Sequence, residues 1–406
     1  MLTKRLTSGT ALATLLLGCA IADDAPTAPF PHGEPPRAAQ PALNLGYGPD
    51  LFYYLRHDAS TFSTFGTIST AGTITDRFGV GNSVTALTFA APNVGYGGSL
   101  FYALRQNPAT GISTITTIST NGTVTDRFGV GSYVDALTFA AENVAYGANL
   151  FYYLRHDPAT GFSTFGTISS DGTTTDRFGV GPYFDALTFV PEDVGYGPNL
   201  FYYLRHDPGT GFSTFGTIST NGAVTDRFGV GFNFRALAFA DADVGYGTNR
   251  FYYLRSDPLA ASFTTFGTIS TNGDVTDRFG VGNDFDALAF PRPLRISIDV
   301  KPGVFPNTVN PASKGKVPVA ILSTAAFDAT TVIPASVRFG ATGTEASAVH
   351  SAIADVNADG RNDLILQFMI SETGIVCGST TGILTGTAGG NVAIRGSDPF
   401  VTTGCN

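Results

Sequence analysis

One unit of about fifty residues occurs five times in succession, and no other feature of the chain limits its fold as tightly. Gly/Ala-Tyr-Gly triplets mark each copy at Tyr47, Tyr96, Tyr146, Tyr196 and Tyr246, spaced by 49, 50, 50 and 50 residues. The third copy reads LFYYLRHDPATGFSTFGTISSDGTTTDRFGVG, followed by a short connection and FDALTF. Its runs Leu150–His156, Ser163–Ser169, Thr173–Val180 and Phe184–Phe189 are strand-length and separated by Gly, Pro, Asn and Asp turn signals. Helix formers in a 3.6-residue period are absent, so each unit reads as four antiparallel strands.

Four strands repeated five times predict an all-β chain whose main body, residues 43–291, is a five-bladed β-propeller. The ends of the array argue for closure. An ALTF-type run occurs at Val84–Phe89, Val134–Phe139, Phe184–Phe189, Phe234–Phe239 and Phe285–Phe290, but nothing equivalent precedes the first LFYYL. If that run is the innermost strand of a blade, the last copy supplies the strand that the first blade lacks, and no sheet edge stays open. A linear solenoid or a row of small sandwiches is the competing architecture, and a solenoid has no use for a missing first strand matched by a surplus last one. Phe52, Tyr54, Phe65, Phe78 and their copies are expected between blades, each contributing roughly 1.5–3 kcal/mol when buried. The array resembles five-bladed propellers, including the animal lectin with five tandem repeats, in architecture alone.

With this strand order, the loops after LFYYLRHD and DRFGVG share one face of the disc. Arg56, Arg105, Arg155, Arg205 and Arg255 would ring that face as candidate ligand contacts, beside His57, His156 and His206. The plainer expectation is that identical arginines tie neighbouring strands together. In the TDRF run, alternation puts Asp76 on one strand face and Arg77 on the other, so they form no local acid-base pair. Asp76 and its copies are expected to bond backbone groups between blades.

Symmetry is relaxed before each inner strand, where Thr85, Asp135, Asp185, Arg235 and Asp286 look toward the central opening. Tyr133 and Tyr183 lie just before two of them. The three carboxylates resemble the acids of five-bladed furanosidases, which implies a glycan-active hydrolase using Asp135, Asp185 and Asp286. Glycoside cleavage needs two carboxylates in different environments, whereas the repeats suggest near-equivalent ones. No Ser-His-Asp order, metalloprotease helix or phosphate loop occurs. The leading expectation is therefore a non-enzymatic cell-surface or secreted protein that binds glycan or another surface ligand multivalently, using Tyr133 and Tyr183 in the absence of Trp. Hydrolase and purely structural surface repeat protein are the alternatives.

After Pro291-Arg292-Pro293 the repeat stops, and residues 295–406 read as a small β-sandwich with strands at Ile296–Val300, Val317–Leu322, Val337–Phe339, Asp363–Phe368 and Gly382–Thr387. The stretch from Ile298 to Leu322 resembles a module near the C-termini of secreted bacterial and archaeal proteins, which implies export and an accessory role. Asp355-Val-Asn357-Ala-Asp359-Gly360-Arg361-Asn-Asp363 carries oxygens at alternate positions, a pattern suited to a hard cation such as Ca²⁺. Leu366 stands where an EF-hand places its Glu, so the run resembles the calcium loop of integrin-type propeller repeats. That resemblance implies side-chain ligation by Asp355, Asn357, Asp359 and Asp363 and carbonyl ligation by Arg361. The alternative is an Asx-rich turn satisfied by its own backbone.

The N-terminus has Lys4, Arg5, an apolar run Ala11–Leu17 and Leu16-Leu17-Gly18-Cys19, the layout of a secretory signal over residues 1–19. Its end resembles a bacterial lipobox, which implies a lipid on Cys19 and membrane attachment to the cell envelope through that lipid only. An ordinary cleaved signal is the alternative. Residues 20–42, rich in Pro and Ala, read as a disordered tether. In an exported chain Cys377 and Cys405 are expected to form a disulfide. A net charge of -9 without basic clusters excludes nucleic acid as a partner.

Overall fold

The computed structural model describes residues 45–405 apart from 49, 242 and 258–262. The expected signal, the tether and Cys19 lie outside the described residues. From Leu51 the chain folds as a closed five-bladed β-propeller, one four-stranded antiparallel sheet per repeat.

In the second to fifth blades, strands run outward in chain order from Val84–Ala90, Val134–Ala140, Phe184–Val190 and Phe234–Ala240. The first blade is assembled from both ends of the array. Its outer three strands are Leu51–His57, Phe62–Ser69 and Ile74–Asn82, and its innermost is Phe285–Ala289, with Tyr53 opposite Ala289, Tyr54 opposite Leu288 and Leu55 opposite Ala287. The closing strand leaves neither blade with an unpaired inner edge.

Blades are joined by the paired aromatics of LFYYL, whose alternation sends one ring to each neighbour. Phe52 meets Tyr252, Tyr53 meets Phe101, Tyr102 meets Phe151, Tyr152 meets Phe201 and Tyr202 meets Phe251, at centroid separations of 4.3 to 4.6 Å. These five contacts run around the whole ring, and all ten side chains are fully buried. A second cycle lies at the opposite end from the LRHD loops. The hydroxyls of Tyr96, Tyr146, Tyr196 and Tyr246 donate to the carbonyls of Ser170, Thr220, Thr271 and Thr70, while the TDRF arginines Arg77, Arg127, Arg177, Arg227 and Arg278 cover the triplet tyrosines at 4.1 to 4.6 Å.

The TDRF aspartates correct the expectation that they bond backbone between blades. Asp76 accepts from Tyr54 and Arg56 of its own blade, because the strand register places all three on one sheet face. Asp176, Asp226 and Asp277 do the same with their own Tyr and Arg. The tyrosine ring lies across a glycine: a Cβ on Gly66, Gly166, Gly216 or Gly267 would collide with it. In the second blade both residues change together. Ala103 replaces the tyrosine and Thr116 the glycine, and the Thr116 hydroxyl donates to Asp126 at 2.7 Å.

Residues 294–402 form the second all-β body, in which eight strands share one hydrogen-bonded sheet folded on itself. The long strand Ala346–Ala354 pairs with Arg338–Gly340 at one end and Asp363–Met369 along the rest, so it serves both halves of the sandwich. Val300, Val319, Ile321, Phe339, Leu366, Phe368 and Leu384 fill the space between them. A Cys377–Cys405 disulfide ties the C-terminal residues to the loop before Thr381–Ala388.

The Ala103/Thr116 blade shows how the remaining blades should respond to mutation. Gly166→Thr alone is expected to destabilise the protein by about 1–3 kcal/mol through overpacking against Tyr153. Adding Tyr153→Ala should recover most of that loss, measured by urea unfolding as a double-mutant cycle. Strict additivity of the two changes would contradict the exchange.

Candidate functional site at the mouth of the central channel

Each inner strand carries a β-bulge near its start. Phe184 faces Arg205 and Ala186 faces Leu204, so Asp185 is skipped by the ladder. The same irregularity skips Asp135, Arg235 and Asp286. A bulge re-aims the extra side chain, and here it turns four side chains out of the ladder at one end of the channel. In the second blade the shift falls one residue later, past Thr85.

Each of the three aspartates meets a histidine from the next strand of its own blade. Asp286 contacts His57 Nδ1, Asp135 contacts His156 Nδ1, and Asp185 lies 2.8 Å from His206 Nδ1. The two blades without the aspartate also lack the histidine, with Thr85 and Gln106 in one and Arg235 and Ser256 in the other. Aspartate and histidine thus behave as one unit. Tyr133 packs on His156 and Tyr183 on His206, each with ring centroids 5.5 Å apart, so two neighbouring blades carry complete Tyr-His-Asp groups.

Burial raises the carboxyls of Asp135, Asp185 and Asp286 above the usual aspartate value, but their remaining surroundings differ. Asp135 is further raised by the charge of Asp185 and receives a hydrogen bond from Gln106 of the preceding blade at 3.2 Å. Asp185 and Asp286 are both drawn down by Arg235, whose guanidinium is 3.7 Å from Asp286. His206 is raised by its hydrogen bond to Asp185, which favours the imidazolium. The near-equivalence suggested by the repeats therefore does not hold in three dimensions: Gln106 and Arg235, from the two divergent blades, break it.

The five arginines of LFYYLR each pair with an aspartate of their own blade, and Arg105 also donates to the Val80 carbonyl at 3.0 Å and the Asn82 carbonyl at 3.3 Å in the blade before it. Arg56, Arg155, Arg205 and Arg255 pair with Asp76, Asp176, Asp226 and Asp277, and Arg105 pairs with Asp126 at 3.0 Å. These pairs tie the second strand to the fourth.

The far end of the channel is occupied by the linker to the sandwich. Arg292 donates to the Phe189 carbonyl at 2.9 Å beside the inner-strand residues Phe89, Phe139 and Phe239. Arg292 and Arg295 pair with Glu192, whose carboxyl is pushed up by burial, and Arg295 lies 2.9 Å from Asp241.

In the sandwich, the Asp355–Asp363 run folds on Asx hydrogen bonds. Asp355 accepts from the amides of Asp359 and Gly360, Asn357 from Asp359, and Asp359 from Arg361, with Gly360 at φ 84°. Asp363 is fully buried and accepts from the amides of Ser323 and Val356. Among the described residues no group of three or more His, Cys, Asp or Glu side chains gathers as a metal cluster. The donor types fit a hard cation, because each carboxylate oxygen has a second lone pair beyond the one its amide uses.

No protein family matches the chain by sequence, and no curated protein does either. Solved structures with a similar course of chain include exo-β-1,3-galactanase from Phanerochaete chrysosporium, 9% identical over 83% of this chain and 92% of that one, with a TM-score of 0.36. Penicillium chrysogenum α-L-arabinanase is 9% identical over 79% and 93%, with a TM-score of 0.34. The β-propeller domain of the Trilobed protease from Pyrococcus furiosus is 10% identical over 84% and 98%, with a TM-score of 0.29. At such loose superposition, the activities of these proteins say nothing about the chemistry of this chain.

Proposed function

We propose that the channel mouth is a glycan-hydrolysing site, with Asp135 as the proton donor and Asp286 or Asp185 as the ionised carboxylate. One observation carries this reading: three half-buried aspartates stand skipped by the ladder at the same end of the inner strands, and Arg235 and Gln106 give them unlike electrostatic surroundings. Glycoside cleavage requires that inequality, since one carboxyl must keep its proton while its partner stays charged. Burial and the charge of Asp185 raise the Asp135 carboxyl against the pull of His156 and Gln106, whereas Arg235 draws down both Asp185 and Asp286, which suits Asp135 to the proton donor's role. Asp286, beside Arg235, is the better base or nucleophile.

The reading of the mouth as a non-catalytic multivalent platform is favoured by a separate observation. The Asp-His pair recurs in three blades as a repeated module, which is what weak, multiply presented binding sites require. The two readings differ in turnover.

Release of reducing sugar from polysaccharide should fall by about 10²–10⁴-fold in Asp135→Asn, the usual contribution of a general acid. Turnover by the unmodified protein should also decline on the alkaline side, as Asp135 loses a proton it holds above the ordinary aspartate value of 3.8. Binding without turnover, graded down by each of the three Asp→Asn changes, would replace the catalytic reading with the platform.

We also propose that the Asp355–Asp363 loop takes Ca²⁺ as a structural ion, on the strength of its donor set, and that the chain is exported and anchored through Cys19. Calcium should raise the melting temperature of the unmodified protein and leave that of Asp355→Ala unchanged, because only a ligand bound by the native state stabilises it. Equal responses of the two proteins would rule the loop out.

A further inference from the structure

The face that carries the mouth is not five-fold in its aromatic side chains. The third strand of each blade begins with Phe62, Ile112, Phe162, Phe212 or Phe263, and these side chains are 39% to 46% exposed. Four of them are phenylalanines lying against a glycine: a Cβ on Gly79, Gly179, Gly229 or Gly280 would strike the ring. Opposite Ile112, the equivalent Gly129 has open space. The glycine gives each phenylalanine a flat backbone floor and leaves its other side in solvent.

Between blades the symmetry breaks. The junctions Ser132-Tyr133, Pro182-Tyr183 and Phe232-Asn233 each carry an aromatic residue, whereas Asn82-Ser83 and Asn283-Asp284 carry none. Tyr133 and Tyr183 rest on Gly111 and Gly161 in the same manner, and Phe232 packs edge-on against Phe212 with centroids 5.3 Å apart. In ring order Tyr133, Phe162, Tyr183, Phe212, Phe232 and Phe263 form an arc that runs from the junction of the second and third blades to the fifth blade. Asp135 and Asp185 stand within that sector.

We propose that this arc is a docking track for an extended carbohydrate chain that leads into the channel mouth, an inference resting on the glycan reading above for the class of ligand. A structural role explains phenylalanine-on-glycine packing in four of the five blades, but it gives no reason for the junction aromatics to gather on one side. Exposed apolar surface concentrated in one sector marks a contact site. Sugar rings offer an apolar C–H face and a hydroxyl rim, which match aromatic faces set beside carboxylates and imidazoles. The length of the arc suits a polymer, since several weak stacking contacts on one strand add through their connection.

The test uses the full chain in affinity electrophoresis through gels containing arabinan, galactan, xylan or laminarin. Phe162→Ala and Tyr183→Ala should weaken retention by the bound polysaccharide about tenfold. Phe62→Ala, off the arc but on the same kind of glycine floor, should leave retention unchanged while lowering the melting temperature as much as Phe162→Ala does. Equal losses in Phe62→Ala and Phe162→Ala, or no retention by any of the four polymers, would overturn the track. Hydrolysis of a short aryl glycoside separates the two proposals. Retention that depends on the arc in a protein without turnover removes the catalytic reading and keeps the track, and turnover without retention does the reverse.

Discussion

Closure of the ring is the constraint on which the rest of the molecule depends. Every blade buries its LFYYL aromatics against both neighbours, so an open array would expose one such face at each end, beginning with Phe52 and Tyr252. Burial of large apolar side chains contributes roughly 1.5–3 kcal/mol each, so leaving the terminal faces in water would cost a substantial part of a domain's net stability. The strand Phe285–Ala289 prevents this by joining the last repeat to the first sheet. Tyr246 repeats the closure at the other end of the disc through its bond to the Thr70 carbonyl.

Closure also makes the site possible. A bulge in one strand of a single sheet would turn out one side chain, but five sheets arranged about an axis bring the bulged residues to one mouth. Repetition supplies the scaffold and divergence supplies the chemistry. Arg235 and Gln106 belong to the two blades that lost the Asp-His pair, and these two residues give the remaining aspartates different neighbours. The linker containing Arg292 packs at the opposite end of the channel.

Much of this was legible in the sequence, because the propeller is specified by local signals repeated five times. Strand limits in the third repeat agree with the structure to within two residues, and the displaced inner strand was visible as a missing copy at one end and an extra one at the other. The convergence of Asp135, Asp185 and Asp286 followed from position alone. Their pairing with histidine did not, since in the first blade the partners are 229 residues apart. A signal was present nonetheless, as histidine follows LR only in the blades that have the aspartate. The second-strand arginines were harder to place, because their partner lies two strands away and alternation says nothing about cross-strand reach. In the sandwich the strands Ala346–Ala354 and Val392–Pro399 carry little sequence signal: the first is mostly small and polar and largely exposed, and the second ends in a charged, glycine-containing stretch.

Native-state amide exchange tests closure most directly, by comparing the strand Leu51–His57 with its copy Leu200–His206. A sealed ring predicts similar protection in both, with the first strand losing its protection when the chain is cut before Phe285. Rapid exchange across Leu51–His57 in the intact protein, or protection indifferent to that cut, would mean that the last repeat does not complete the first sheet.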